Sequence, residues 1–441
     1  MKENYLDCVE EVSSILFKTI IEREENLTEK IPQLDRDLFS LLRAIGLKVM
    51  SMLLTCLINQ VTKGAKQTGW VVHRRPKIKY TVIFGQVNLE SPYLWNKRLK
   101  KGIRPVAEKL GIRPRTRSLA VKRALSEFGA EESFGQAAKR FQEHYGFWVE
   151  GSTVRREVEK IAQLAEEYVE QKLKTARKNS LNNSSKKTYR ILLELDGCQI
   201  RTGLHLPSPK AELTPKRQLK KKLRPIDWRE VRVGLARPVD HKDQRTFVAK
   251  KGKYPQIIEQ LVGAADDQGL CAQSQVYAIA DGAKGLREAL DKQFADLKFI
   301  LDRPHLKQHI YENADARGLT GEMRQIWINS VLYLIEHGKV KSIISRLKSD
   351  RGPGEKSSQN FAEYLERFKD AVHYQRFRSW GLPRGSGEIE SAHRYIPQKR
   401  LKIPGATWHP DTINPMLALR VLRANDWWSD FWSAYRQQRL A

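Results

Sequence analysis

The sequence predicts an α/β protein. A mixed sheet is flanked by helices, an all-helical insertion follows it, and the N-terminal region is mainly helical. Three observations carry this. Three strand-like apolar runs open the second half and are followed by alternating helix and strand patterns. Residues 305–374 keep helical spacing without a strand signal. Apolar residues also recur at helical spacing from Leu34 to Gln60, through Leu38, Leu41, Leu42, Ile45, Leu47, Met50, Leu53, Leu54 and Leu57.

In chain order, residues 34–60 read as one or two helices whose wide apolar face packs on this chain or on a second copy. Residues 79–93 alternate, with Tyr80, Val82, Phe84, Val87 and Leu89, and predict a β-hairpin. A helical pattern returns over 118–163. Within it, 133–141 resembles the first helix of a helix-turn-helix, 144–151 its turn, and Ser152 and Thr153 natural caps for a second helix bearing Arg155, Arg156 and Lys160. That second helix reads as a major-groove element; the plain alternative is an αα-hairpin with solvated charges. The polar run 173–188 reads as a linker.

Strands are expected at 189–195, 231–239 and 246–250, a helix at 254–265, a strand at 276–280, a helix at 286–294 and a strand at 297–301. The pair Asp266 and Asp267 reads as a turn. Residues 385–393 look like a helix start, and a C-terminal helix over 410–431 carries Trp427, Trp428 and Trp432 as core or interface filler. The divisions are therefore 1–75 (helical), 76–172 (hairpin plus helix-turn-helix), 173–188 (linker), 189–304 (sheet core), 305–384 (helical insertion) and 385–441 (final acidic helix and tail).

Composition narrows the function. Among 441 residues, 79 Lys and Arg stand against 51 Asp and Glu, a net charge of +28. Such an excess points to a polyanionic partner, nucleic acid first. Residues 210–253 alone hold 15 Lys and Arg against 5 Asp and Glu. Their cluster Lys216, Arg217, Lys220, Lys221 and Lys222 reads as a loop that follows phosphates. With 40% hydrophobic residues a packed core is expected. The most apolar run, Val49 to Ile58, falls short of the roughly 20 residues a membrane span needs. The N-terminus lacks a basic start and apolar core, so no secretory signal is expected. Four scattered cysteines, Cys8, Cys56, Cys198 and Cys271, form no C-x-x-C, which argues against a zinc ribbon or a thioredoxin-type site. Glycine-rich nucleotide motifs are missing too.

Phosphodiester chemistry needs negative charge managed at an attacking and a leaving oxygen. Two Mg²⁺ or Mn²⁺ ions held by about three convergent carboxylates can do this. Asp196 and Asp281 each follow an apolar strand and precede glycine. Asp-Gly alone is a common turn, but two copies after buried-type strands with a later acidic helix start are a stronger signal. For the third carboxylate, Glu388 and Glu390 flank the apolar face of Ile389, Ala392, His393 and Ile396 on opposite sides, and spacing does not choose between them.

These residues resemble a known family. The segments Leu193-Glu194-Leu195-Asp196-Gly197, Ala280-Asp281-Gly282-Ala283 and Gly385-Ser386-Gly387-Glu388-Ile389-Glu390-Ser391 are similar to the signature of DDE transposases of bacterial insertion sequences, of the Kra-type family. The resemblance spans most of the chain, including Ile300-Leu301-Asp302-Arg303-Pro304-His305 and the tail from Arg400-Leu401-Lys402 to Arg420. It implies an RNase H-like catalytic domain and selects Asp196, Asp281 and Glu390 as metal-holding catalytic acids, with Glu390 preferred over Glu388. It places Asp302 and His305 beside the site, where their plain reading is a helix cap and a packed histidine. Relatives often carry a cysteine pair after the early strand pair; residues 92–102 here have none.

The resulting expectation is a transposase of the bacterial cytoplasm and nucleoid. It would bind double-stranded DNA at element ends and target with Arg155, Arg156, Arg394 and the basic cluster, and work as a dimer or larger assembly. Two alternatives stand beside it: a transposase-derived DNA-binding protein without strand transfer, and an RNase H-like structure-selective nuclease.

Overall fold

The computed structural model describes residues 6–23, 27–182, 187–204 and 225–440. The protein is mixed α/β and divides into two compact units, Met1–Leu125 with Ala138–Val149, and Ser126–Ala137 with Glu150–Ala441. The basic cluster Lys216, Arg217, Lys220, Lys221 and Lys222 lies outside the described residues.

The first unit begins with α1 (Leu6–Arg23) and α2 (Leu27–Ala65). The apolar spacing at 34–60 becomes one helix. Only its later part is covered: Leu54 and Ile58 are buried in a core with Ile78, Val82, Val87, Leu89, Val106 and Ile112. Leu34, Leu38, Leu41, Leu42, Met52, Leu53 and Leu57 stay exposed. This corrects the ten-residue estimate of apolar length. The helix over Thr28–Ala65 is long and apolar enough to cross a membrane, with 11% of its most apolar stretch buried. Isolated Ser, Thr and Lys residues interrupt the run in sequence without removing the apolar surface of the cylinder.

Five strands follow: β1 (Trp70–Arg74), β2 (Lys77–Val82), β3 (Gly85–Glu90), β4 (Tyr93–Asn96) and β5 (Lys101–Ile103). The hairpin expected at 79–93 is β2 with β3, antiparallel from Lys77–Glu90 to Val82–Gly85. Its buried residues alternate, as one solvated face requires. After α3 (Pro105–Lys109), β6 (Thr116–Arg117) joins β2 in parallel, and β1, β4 and β5 form a second small sheet. Helices α4 (Leu119–Glu131) and α5 (Phe134–Tyr145) each contribute residues to both units.

In the second unit α6 (Gly151–Leu181) is a 31-residue helix. Two expectations are corrected here. Glu150 holds the cap position, without a side-chain cap bond, so Ser152 and Thr153 lie inside the first turn. Residues 173–181 are helical rather than a linker. Val169 and Leu173 are buried, and Ser180 donates to the Leu270 carbonyl at 2.7 Å. The polar composition is that of the helix's outer face; its inner face continues at i, i+4 spacing.

The central sheet comprises β7 (Arg190–Gly203), β8 (Ile226–Pro238), β9 (Thr246–Lys251), β10 (Gln275–Ala280) and β11 (Lys298–Leu301), in the order β11-β10-β7-β8-β9. The pairs β7–β8 and β8–β9 are antiparallel, while β10 runs parallel to β7 and β11. Strands covered on both faces read as unbroken apolar runs, as Ile191 to Leu193 and Val276 to Ala280 do. Helices α7 (Tyr254–Asp267) and α8 (Leu286–Asp291) connect them. Asp266 and Asp267 therefore end a helix instead of forming a turn, and Asp267 accepts from the Thr246 hydroxyl at 2.5 Å.

A further correction concerns Asp196-Gly197. They lie inside β7, opposite Val233 and Arg232 of β8. Pairing with a long partner overrode the turn propensity of the dipeptide. At Asp281-Gly282 the turn does form: β10 ends at Ala280 and Gly282 has φ of +74°.

The helical insertion is α9 (Arg303–Ala316), α10 (Gly321–Glu336), α11 (Val340–Lys348), α12 (Glu355–Arg367) and α13 (Tyr374–Ser379). Then come α14 (Gly387–His393), one π-helical turn at Arg394–Gln398, and α15 (Lys399–Leu401). The expected single C-terminal helix is two, α16 (Ile413–Ala424) and α17 (Trp428–Leu440), broken where Asp426 takes φ of +56°. Trp427, Trp428 and Trp432 are buried, as expected of filler.

Leu261 of α7 is fully buried. Leu261→Ala is expected to lower unfolding stability by about 2–5 kcal/mol, the usual cost of such a cavity, measured by denaturant titration.

Candidate active site

The site lies wholly in the second unit, and strand register builds it. Strand β10 pairs with β7 from Gln275–Arg190 to Ile279–Glu194 at constant offset. It pairs with β11 from Tyr277–Lys298 to Ala280–Leu301. Continued past the last paired residues, both registers align Asp196, Asp281 and Asp302 in one row across three parallel strands. Neighbouring strands lie about 4.8 Å apart. A hydrogen bond from Asp302 N to the Ala280 carbonyl, 2.9 Å, extends the ladder to this row.

Asp302 is fully buried and caps α9. One of its oxygens, Oδ1, accepts the Ser386 backbone N–H at 2.9 Å. The other accepts from the His305 N–H at 3.4 Å and contacts the His305 ring at Nδ1. A burial of this depth is tolerable only because the carboxylate is fully hydrogen-bonded. The helix-cap reading of Asp302 is thus correct, and the cap also ties the Gly385-Ser386-Gly387 segment to the end of β11. The Asp302 hydrogen bond holds His305 above its ordinary pKa against the opposing effect of burial, and the charges of Asp302, Asp281 and Asp196 add to it. His305 is thereby placed near Asp281, just past β10, and Asp196, within β7.

Helix α14 lies on the same face as this row. The Ile389 N–H donates to Glu194 Oε2 at 2.9 Å. Glu194 precedes Asp196 by two residues, so the two share a face of β7. One helical turn after Ile389, His393 Nε2 lies 3.4 Å from Asp196 Oδ2. Burial lowers the His393 pKa, with Asp196 pulling the other way. Asp196 Oδ1 accepts the Gly197 N–H at 2.7 Å, and Asp281 Oδ1 the Ala283 N–H at 2.9 Å.

The two candidate glutamates differ sharply. Glu388 accepts from Arg237 Nε at 2.9 Å and Nη2 at 2.8 Å. Arg237 is only 1% exposed and also donates to the Pro238 and Val239 carbonyls. Removing either member would leave a buried charge uncompensated, so Glu388 is committed to the pair. Glu390 is exposed and has no ion pair among the described residues. Spacing could not separate them; the partner in β8 does. The apolar face of α14 is as expected, with Ile389, Ala392, His393 and Ile396 buried.

The DNA-facing candidates are elsewhere. Arg155 and Arg156 are exposed in the first turns of α6, Arg155 near Glu159 at 3.7 Å and Arg156 bonded to Thr153 at 3.3 Å. The opposite face of α6 is core, with Val154, Val158, Ile161, Ala165 and Val169 buried. Arg394 is exposed, one residue beyond His393.

Several site neighbours escaped the sequence reading. Arg237 carried no motif. Tyr364, from α12, donates its hydroxyl to the Asp281 carbonyl at 3.0 Å. Tyr374, at the start of α13, donates to the Leu301 carbonyl at 2.9 Å. The insertion thus braces the ends of β10 and β11. Lys402 acts on both Cys198 and His393, and burial pushes the Cys198 thiol up to about 11. The one available signal for Lys402 was its place in the tail motif.

Oxygen donors on rigid strands plus one exposed helical glutamate are the chemistry that Mg²⁺ or Mn²⁺ takes. Among the described residues no three His, Cys, Asp or Glu side chains converge at ligand distance as they stand. Glu390, unpaired and on the surface, is the side chain free to close that gap.

Burial pushes Glu194 up to about 8, opposed by the Ile389 N–H and Arg237 and reinforced by Glu388 and Asp302. The folded protein therefore binds this proton more tightly than the unfolded chain. Its stability contribution is complete below about pH 4.5 and is lost as pH rises through about 8. Glu194→Gln keeps an acceptor for Ile389 and cannot ionise. Its melting temperature is expected to fall less than that of the wild type between about pH 5 and about pH 8.5, measured by circular dichroism. In comparison with known proteins, the chain matches no protein-family model and no curated protein.

Proposed function

We propose that this protein is an insertion-sequence transposase with an RNase H-like catalytic domain, acting on double-stranded DNA in the bacterial nucleoid. The observation that carries the reading is the acidic row, Asp196 beside Asp281 on adjacent parallel strands, with Glu390 free on the helix that lies over the same face. The sheet order, three antiparallel strands followed by two parallel ones, agrees with the RNase H-like arrangement. The helical insertion before α14 agrees with the motif resemblance, and the net charge of +28 agrees with a DNA substrate.

Asp196, Asp281 and Glu390 would hold two divalent cations. Such ions, when bound, supply Lewis-acid charge neutralisation and a water of lowered pKa. The remaining chemistry belongs to the chain. Asp196 is fixed by its pairing with β8, and the backbone of Asp281 by the Tyr364 hydroxyl. Asp302 anchors the start of α14 and sets where Glu390 projects. His305, whose pKa Asp302 raises, would bring positive charge toward a phosphate at the row in its protonated form. Hydrolysis of one phosphodiester at the element end leaves a 3′-hydroxyl and a 5′-phosphate. That hydroxyl then displaces the 3′-oxygen of a target phosphodiester, exchanging one bond for another. Holding two ends together calls for at least two copies, and Arg155, Arg156, Arg394 and the cluster around Lys216 to Lys222 would contact the duplex.

The test uses a linear duplex carrying the coding sequence and its flanking DNA, a plasmid target and Mn²⁺. New 3′-hydroxyl ends joined to plasmid are expected. Asp281→Asn should abolish cleavage and leave DNA binding unchanged in a mobility-shift assay. Binding without cleavage by the wild type would instead support a DNA-binding protein, and cutting of branched DNA without joining would support a nuclease.

A further inference from the structure

Glu390 and His393 are three positions apart in α14, which places both side chains on one side of a short helix. Glu-x-x-His at this spacing is a recurrent way for one helix to offer an oxygen and a nitrogen to the same ion. Alignment with the sheet gives the pattern a target. From Ile389 to His393 the helix climbs about 6 Å, and from Glu194 to Asp196 the strand advances about 6.6 Å. The two rises match. Ile389 is tied to Glu194, and His393 consequently falls beside Asp196, at 3.4 Å.

The histidine itself is anomalous. It is 3% exposed, and its Nε2 has no hydrogen-bond partner although it points at the acidic row. Buried polar nitrogens are almost always satisfied. A histidine serving only to support Asp196 would be expected at hydrogen-bond length and alignment, as Asp302 and His305 are. The vacant nitrogen and the 3.4 Å separation suit two adjacent ligands of one ion, whose donor atoms lie about 3 Å apart when each bond is about 2.1 Å.

We propose that His393 is a nitrogen ligand to the cation shared by Asp196 and Glu390, which makes that position selective for Mn²⁺-like ions over Mg²⁺. Imidazole suits borderline transition metals, whereas Mg²⁺ prefers an all-oxygen shell. This rests on the carboxylate site proposed above and adds one donor to it.

The test is Mn²⁺ bound to the full-length protein, read by electron paramagnetic resonance. Saturable binding that is lost in Asp196→Asn supports the carboxylate site. Electron-spin-echo modulation from a directly bonded ¹⁴N is expected in the wild type, retained in His305→Gln and lost in His393→Gln. Competition by Mg²⁺ against Mn²⁺ should become about tenfold or more effective in His393→Gln. If His393→Gln does not fold, ¹⁵N-histidine labelling of the His305→Gln protein provides the same reading. The ¹⁴N modulation then gives way to that of ¹⁵N. Saturable Mn²⁺ binding without nitrogen modulation would overturn the role of His393 and leave the carboxylate site standing. Modulation that disappears with His305→Gln would assign the nitrogen to His305 and overturn the proposal. Absence of saturable Mn²⁺ binding would overturn both.

Discussion

The start of α14 is clamped to the sheet by buried acids, and the candidate site depends on that clamp. A helix begins with backbone N–H groups that have no partner inside the helix. Here Asp302 takes the Ser386 N–H and Glu194 takes the Ile389 N–H, while Arg237 grips Glu388 between them. Glu194 comes from β7, Arg237 from β8 and Asp302 from the residue after β11, and all three are buried. Each alone would be costly to bury; Asp302 has both carboxylate oxygens bonded, whereas Glu194 bonds the helix through Oε2 alone. One consequence is geometric: with Ser386, Glu388 and Ile389 tied down, the helix backbone from which Glu390 projects is held in place. Another is chemical, because the nearest carboxylate rival, Glu388, is neutralised by its arginine.

A second constraint is the parallel pairing of β7, β10 and β11. Parallel registers carry side chains at matched positions to the same face. An aspartate two residues beyond the last pair on one strand is therefore brought level with an aspartate at the same offset on the next. The helical insertion contributes by bracing. Tyr364 holds the backbone of Asp281 and Tyr374 that of Leu301, so the ends of β10 and β11 are fixed by residues far away in sequence.

Much of this was legible in the sequence because local pattern and tertiary role coincide. The apolar runs of β7, β10 and β11 announce doubly covered strands, and Ile389, Ala392 and Ile396 announce the inner face of α14. What was not legible depends on pairing across long distances. Gly197 reads as a turn because nothing near it in sequence reveals the β8 strand opposite. The polar segment after Leu173 reads as a linker because its few apolar contacts are made with α7. Glu388 and Glu390 are symmetric about the helix face, and only Arg237, 151 residues away from Glu388, breaks the symmetry. The bare flank of α2 was underestimated because counting consecutive apolar residues ignores that a helix gathers interrupted ones.

The extension of β7 past Asp196 sets a length. Seven residues separate Asp196 from Gly203, where the strand is held by the Trp408 carbonyl at 3.0 Å. At roughly 3.3 Å per residue that is about 23 Å of rigid ribbon. In sequence, the Lys216 to Lys222 cluster lies between β7 and β8. The ribbon thus acts as a ruler. On the function proposed above, it would span about seven base pairs of a duplex whose phosphate lies at the acidic row, at 3.4 Å per base. On that same reading, shortening or lengthening the paired β7–β8 arm by two residues would change the span by about two base pairs, without touching a carboxylate.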